Sequence, residues 1–159
     1  MMSASVKFVQ LNQKKAYVAA VELNKALKKV PQYICLITEP YKNKCKVTAR
    51  PEGCQVHVVK SQIPPRAAIF FKGNMNIIQI DSLSNEDCVV SLWNNGKDSV
   101  ILASIYLDIN KPVESEWMDK IVNYASSKGL PVILGVDTNA HSVLFGHESN
   151  KKRNRVLHL

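Results

Sequence analysis

The chain has 159 residues, 21 Lys and Arg against 13 Asp and Glu, a formal charge of +8, an isoelectric point near 9.4 and 46% hydrophobic residues. That length holds one core of ordinary domain size rather than two, and so apolar a composition excludes disorder of the chain as a whole. The longest apolar runs, Tyr33 to Ile37 and Val132 to Val136, fall far short of the roughly 18–20 residues that span a bilayer, which excludes a transmembrane helix.

The first residues lead directly into Val6 to Leu11, with neither the basic leader nor the continuous apolar run of a secretory signal. Val6 to Leu11 alternates with period two and reads as a half-buried strand ending at Asn12. Lys14 to Val30 places Tyr17, Ala20, Val21, Leu27 and Val30 near one face at helical spacing, and Pro31 stops that helix. Tyr33 to Ile37 is continuously apolar, the pattern of a strand covered on both faces, and it ends at Thr38-Glu39-Pro40. Tyr41 to Pro65 is polar and basic with Pro and Gly markers, so it reads as a long loop containing one short strand at Val56 to Val59.

Strands follow at Arg66 to Phe71, Met75 to Ile80, Cys88 to Trp93 and Ser99 to Tyr106. They are joined by Lys72-Gly73-Asn74 and by Asn94-Asn95-Gly96-Lys97, where Asn95-Gly96 is a hairpin signal. Glu114 to Ser127 carries Trp117, Ile121 and Tyr124 at helical spacing and stops at Lys128-Gly129. Pro131 to Val136 is a last buried strand. The order β-α-β, several antiparallel-type strands, then α-β predicts mixed sheets with helices outside.

Cys35, Cys45, Cys54 and Cys88 form no CxxC pair and no zinc-type spacing with His, so they are expected to be reduced thiols in an intracellular compartment. The positive charge is clustered: Lys14, Lys15, Lys25, Lys28 and Lys29; then Lys42, Lys44 and Lys46; then Lys151, Lys152, Arg153 and Arg155. Such clusters suit a polyanion, although a lysine-rich face also serves solubility alone.

Polar residues stand where the buried strands run out: Asn12, Glu39, and Asp137 with Asn139. Strand ends are where α/β folds place ligands. Asn12 also suits a helix N-cap and Glu39 a solvated turn. In Gly135-Val136-Asp137-Thr138-Asn139-Ala140-His141-Ser142-Val143-Leu144-Phe145-Gly146, the side chains of Asp137 and Asn139 point to one side if the strand continues, with His141 two further on.

This last run, with Ser149-Asn150-Lys151-Lys152-Arg153-Asn154-Arg155 after it, resembles the endonuclease domain of non-LTR retrotransposons, an apurinic-endonuclease-like branch of the endonuclease/exonuclease/phosphatase superfamily. Leu11-Asn12, Ile37-Thr38-Glu39-Pro40-Tyr41, Arg66-Ala67-Ala68-Ile69 and Ala103-Ser104-Ile105-Tyr106 resemble four further family motifs in order and approximate spacing. The chain differs in Leu107-Asp108-Ile109-Asn110, in Phe145 where the family has tryptophan, and in lacking counterparts of a later aspartate motif and a closing Ser-Asp-His. Residues 1–159 are therefore expected to form the N-terminal two-thirds of one such domain.

The resemblance implies a four-layer α/β/β/α sandwich of two facing mixed sheets, incomplete at its C-terminal side and prone to edge-to-edge self-association. It implies metal-dependent phosphodiester hydrolysis, nicking target DNA for retrotransposition, in an intracellular protein that acts in the nucleus. Glu39 would hold Mg²⁺, with Mn²⁺ an alternative, and Asn12 would support it. Asp137 would activate water, and Asn139 and Tyr106 would bond the scissile phosphate. His141, Ser142, Lys151, Lys152 and Arg153 would bind substrate. DNA, and a longer reverse-transcriptase polyprotein containing this chain, are the partners implied, and no membrane. Two other readings stay open: a catalytically inactive transposon relic that binds nucleic acid or is unstable, and a superfamily phosphatase acting on small phosphate esters.

Overall fold

Tyr33 to Ile37 is apolar on both sides of its pleat because it is covered on both sides. In the computed structural model, which describes residues 5–108 and 115–137, every residue of the strand Tyr33–Thr38 is buried. The chain order is β1 (Lys7–Asn12), α1 (Tyr17–Leu27), β2 (Tyr33–Thr38), β3 (Lys42–Asn43), β4 (Lys46–Val47), β5 (Gln55–His57), β6 (Ala67–Lys72) and β7 (Asn76–Gln79). After a 3₁₀ turn at Asp81–Leu83 come β8 (Cys88–Asn94), β9 (Ser99–Tyr106), α2 (Ser115–Ser127) and β10 (Val132–Asp137).

Two four-stranded mixed sheets result, in the orders β1-β2-β6-β5 and β10-β9-β8-β7, with β3 and β4 forming a separate hairpin. Alternation along the strands divides the core. Tyr33, Cys35, Ile37, Ala68 and Phe70 point outward from the first sheet and bury Leu23 and Leu27 of α1. Ile34, Leu36, Ala67, Ile69 and Phe71 point the other way, onto Ile77, Val89 and Leu102 of the second sheet. That sheet's outer face, including Cys88, Val90, Ile101 and Ala103, takes Ile121 and Ala125 of α2. The layers are therefore helix, sheet, sheet, helix, the four-layer α/β sandwich expected.

In each sheet the parallel pair is the one separated in sequence by a helix: β1 with β2 across α1, and β9 with β10 across α2. Parallel neighbours need such a crossover, whereas antiparallel ones close with a turn. The Asn95-Gly96 turn does close β8 onto β9, pairing Asn94 with Ser99, and Gly96 supplies φ +98. The outer edge of β10 has no strand partner among the described residues.

Several local expectations differ from the fold. α1 starts at Tyr17 rather than Lys14, because Lys14 and Lys15 take φ +50 and +55, left-handed values that a right-handed helix cannot contain. Ala16, not Asn12, occupies the N-cap position. The buried stripe is Ala20, Leu23 and Leu27, while Tyr17 stays 58% exposed. Residues 41–65 hold a small hairpin as well as β5, which lies slightly earlier than Val56 to Val59 and pairs with the edge of β6. Lys72-Gly73-Asn74 joins two strands as expected and carries the chain from one sheet to the other, with Gly73 at φ +126.

The sheets approach closely near β10. A Cβ added at Gly135 would lie 2.7 Å from Leu36 Cβ, so only glycine fits there. Ser104 Oγ, fully buried, donates to the Ile37 carbonyl across the gap at 2.7 Å, and His57 Nδ1 meets Ser91 Oγ at 2.7 Å. All four cysteines are free, and burial pushes the Cys35 and Cys88 thiols up to about 12. No helix among the described residues is long and apolar enough to cross a membrane.

Candidate active site

β1 and β2 end in register at Asn12 and Thr38, and β9 and β10 end in register at Tyr106 and Asp137. Because both pairs are parallel, each sheet delivers its polar strand-end residues at one edge. Asn12 joins the two edges. Its Nδ2 donates to Glu39 Oε1 at 3.3 Å and also to Asp137 Oδ2. Two hydrogen bonds from one nitrogen bring those carboxylate oxygens within about 6 Å of each other. Asn12 Oδ1 accepts the Lys14 backbone N–H at 2.7 Å, the local turn that asparagine forms readily, and this fixes the amide orientation. Gln10 Nε2 adds a bond to the Val136 carbonyl at 3.3 Å.

Glu39 is held in an uncommon backbone state. Its φ is +44, which costs a residue with a Cβ on the order of 1 kcal/mol. The surrounding backbone imposes it: Glu39 N–H donates to the Arg66 carbonyl at 2.8 Å and the Glu39 carbonyl accepts from Lys15 N–H at 2.9 Å. Gln13, only 2% exposed, clamps the same turn, with its N–H donating to the Thr38 carbonyl at 3.0 Å and its Oε1 accepting from Tyr41 N–H at 3.0 Å.

Cations surround the carboxylates. Lys15 Nζ lies 4.0 Å from Glu39 Oε2, and Lys42 Nζ donates to the Pro65 carbonyl at 2.9 Å. Burial, with Lys15 and Arg66 nearby, pulls the Lys42 ammonium below its ordinary pKa. Arg66 binds Asp87 through two nitrogens at 2.5 and 2.6 Å and Asp108 at 2.7 Å, and its guanidinium stacks 4.9 Å from the centre of the Tyr106 ring. Burial, then the negative charge of Glu39, raises the Tyr106 phenol above its ordinary value, so the hydroxyl stays a proton donor. A 250 Å³ cavity lined by Asp87, Tyr106, Asp108 and Trp117 adjoins the site. Tyr17 and Tyr41 meet edge to face at 5.3 Å beside the Glu39 turn.

Four of the residues singled out in the sequence, Asn12, Glu39, Tyr106 and Asp137, thus come to one end of the sandwich. Asn139, His141, Ser142, Lys151, Lys152 and Arg153 lie outside the described residues. Gln13, Arg66, Asp87 and Asp108 were not singled out for chemistry. Contacts distant in sequence give them a place: Gln13 clamps the Glu39 turn beside the first sheet, and Arg66 reaches Asp87 and Asp108 beside the second. The first lysine cluster is split: Lys14 and Lys15 stand beside the carboxylates, whereas Lys25 and Lys28 lie at the far end of α1.

Glu39 and Asp137 offer carboxylate oxygens of the kind hard divalent cations take, with the Asn12 amide nitrogen as a donor between them. Among the described residues no three of His, Cys, Asp and Glu gather as a metal cage. Two carboxylates would fit an ion that keeps several waters of its own, as Mg²⁺ does.

No family model matches the chain. It is 27% identical over 141 residues to a 115 kDa protein in the type-1 retrotransposable element R1DM of Drosophila melanogaster, covering 87% of this chain and 13% of that protein. It superposes on the endonuclease domain of TRAS1, a telomere-specific non-LTR retrotransposon, with a TM-score of 0.69 and 26% identity, over 94% of this chain and 66% of that one. The chain is therefore similar to the endonuclease domain of non-LTR retrotransposons in sequence and in fold alike, and it spans less than two thirds of either relative's length.

Proposed function

We propose that the chain is the greater part of a Mg²⁺-dependent DNA endonuclease that nicks target DNA within a longer retrotransposon polyprotein acting in the nucleus. The observation that carries the reading is the single Asn12 amide bonded to both Glu39 and Asp137, which draws a carboxylate from each sheet into one site flanked by Lys15 and Lys42. The similarity to a retrotransposon endonuclease domain supports the nuclease class.

Glu39, with its carboxylate toward the site, would hold the cation. When bound, Mg²⁺ supplies positive charge for a phosphate oxygen and its leaving group. Asp137, fixed by Asn12, accepts a proton from water as the water oxygen bonds to phosphorus and the bond from phosphorus to the departing sugar oxygen breaks. That oxygen leaves as an alkoxide and takes its proton from solvent. The Tyr106 hydroxyl donates to a non-bridging phosphate oxygen as negative charge grows there, which is where a preorganised donor is worth most. Asn139 is assigned a second such donor by the family resemblance. Lys15 and Lys42 neutralise backbone phosphates, so affinity for DNA falls with salt at a log–log slope near −0.9 per phosphate contacted.

Supercoiled plasmid tests this directly. Mg²⁺-dependent conversion to the nicked circle, abolished in Glu39→Ala and Asp137→Ala, is the expected result. Salt-sensitive DNA binding without nicking would instead identify a catalytically inactive nucleic-acid binder, and hydrolysis confined to small phosphate esters a phosphatase.

A further inference from the structure

The sandwich has a second polar end, opposite the carboxylates. α1 runs back from the Glu39 turn to the start of β2, where Tyr33 pairs with Lys72 at the end of β6. Between α1, residues 50–53 and Lys72 opens a cleft of 530 Å³, lined by Asn24, Lys28, Tyr33, Arg50, Glu52 and Lys72 among others. That volume lies within the range of small-ligand sites, roughly 300–1,000 Å³.

Two independent features of the cleft ask for a ligand. The first is charge: Lys25 is paired with Glu22 at 3.0 Å, but Lys28, Arg50 and Lys72 make no ion pair among the described residues. The second is hydrogen bonding. Asn24 Oδ1 is buried without a hydrogen-bond partner, and the Tyr33 hydroxyl, in a residue 1% exposed, has the weakly bonding Cys54 thiol as its partner. Asn24 Nδ2 donates to the Ala49 carbonyl at 3.1 Å, which fixes the amide and leaves its oxygen without a donor. Buried polar atoms of this kind are rare because each loses its water and gains nothing.

A complementary ligand must offer negative charge to Lys28, Arg50 and Lys72, an acceptor to Tyr33 and a donor to Asn24. Inorganic phosphate supplies the first two. A nucleotide supplies all three, with phosphate oxygens for the cations and the phenol and a sugar hydroxyl or base amine for Asn24. We propose that this cleft binds a nucleotide unit, free or as part of a strand, at a site separate from the carboxylate pair.

Titration calorimetry on the whole chain in chelator-containing buffer keeps the carboxylate site free of divalent ions and makes the readout independent of nicking. The probes are dAMP, inorganic phosphate and a twelve-residue deoxythymidine oligonucleotide. Binding of dAMP more tightly than phosphate, weakened about tenfold or more by Arg50→Glu or Lys72→Glu, is expected from the loss of one charge-assisted contact. Tyr33→Phe should weaken dAMP several-fold with little fall in melting temperature, because the fold ties that hydroxyl to the weakly bonding Cys54 thiol. Binding of dAMP alone identifies a free nucleotide as occupant, and tighter binding of the oligonucleotide identifies a strand. The proposal is overturned if no probe binds, if phosphate binds as well as dAMP, or if the Arg50 and Lys72 variants bind unchanged. Glu39→Ala should lose nicking and still bind dAMP as the unaltered chain does, so failure of this site and failure of the nuclease reading are separately visible.

Discussion

Asn12 donates from one amide nitrogen to Glu39 and to Asp137, carboxylates that belong to different sheets. Two like charges this close repel. A neutral donor between them offsets that repulsion without filling the acceptor positions on their far sides.

Replacing that amide tests the relationship. Asn12→Ala should lower nicking about 10- to 100-fold and raise the Mg²⁺ concentration needed, the usual scale for removing a group that orients metal-site ligands. Asn12→Asp, which places a third carboxylate between the other two, should be worse. A Mg²⁺ titration of nicking rates compares them. Equal rates in all three proteins would show that the bridge has no catalytic role.

Tyr106→Phe keeps the ring under the Arg66 guanidinium but removes the donor, so the melting temperature should hold while the nicking rate falls about 10²- to 10³-fold. Because the phenol is raised above its ordinary pKa, the unaltered chain should show no loss of rate from its ionisation up to pH 9. A pH profile that falls below pH 9 in the unaltered chain and is flat in Tyr106→Phe would contradict this.

Gly135→Ala should destabilise by roughly 1–3 kcal/mol, since its Cβ would lie 2.7 Å from Leu36 Cβ and the sheets must part. Combining it with Leu36→Gly should cost less than the two changes added, because loss of the Leu36 Cβ relieves the clash made by the first. Urea denaturation of the four proteins gives the coupling, and strict additivity would mean that the gap relaxes elsewhere.

His57 makes the fold sensitive to mild acid. Burial lowers its pKa below the ordinary 6.5, and its Nδ1 bonds Ser91 Oγ across the sheets. The unfolded chain therefore binds the proton first, so this contribution to stability is complete above about pH 6.5 and is lost as pH falls toward the folded-state value. Thermal melts between pH 7.5 and 5 should show a decline in the unaltered chain that His57→Gln largely removes. Parallel declines would assign the acid sensitivity to other groups.

Much of this was legible in the sequence. The continuous apolar run of β2, the alternation of β1, the Asn95-Gly96 turn and the periodicity of α2 follow from local rules of pleat, turn and helix, which act within a few residues. The strand-end positions of Asn12, Glu39, Tyr106 and Asp137 were visible for the same reason, and the motifs around them carried the family resemblance. Where the sequence misled, a longer-range contact had overruled a local preference. Lys14 and Lys15 are ordinary helix formers, yet the Glu39 carbonyl captures the Lys15 N–H and holds both residues outside the helix. Only the tertiary structure could decide that one Asn12 nitrogen serves carboxylates of both sheets, that Arg66 ties the Glu39 backbone to the Tyr106 ring, and that the lysines of one short segment divide between opposite ends of the sandwich. Each depends on how the two sheets face each other, and that packing is set by the whole core rather than by the residues on either side in the chain.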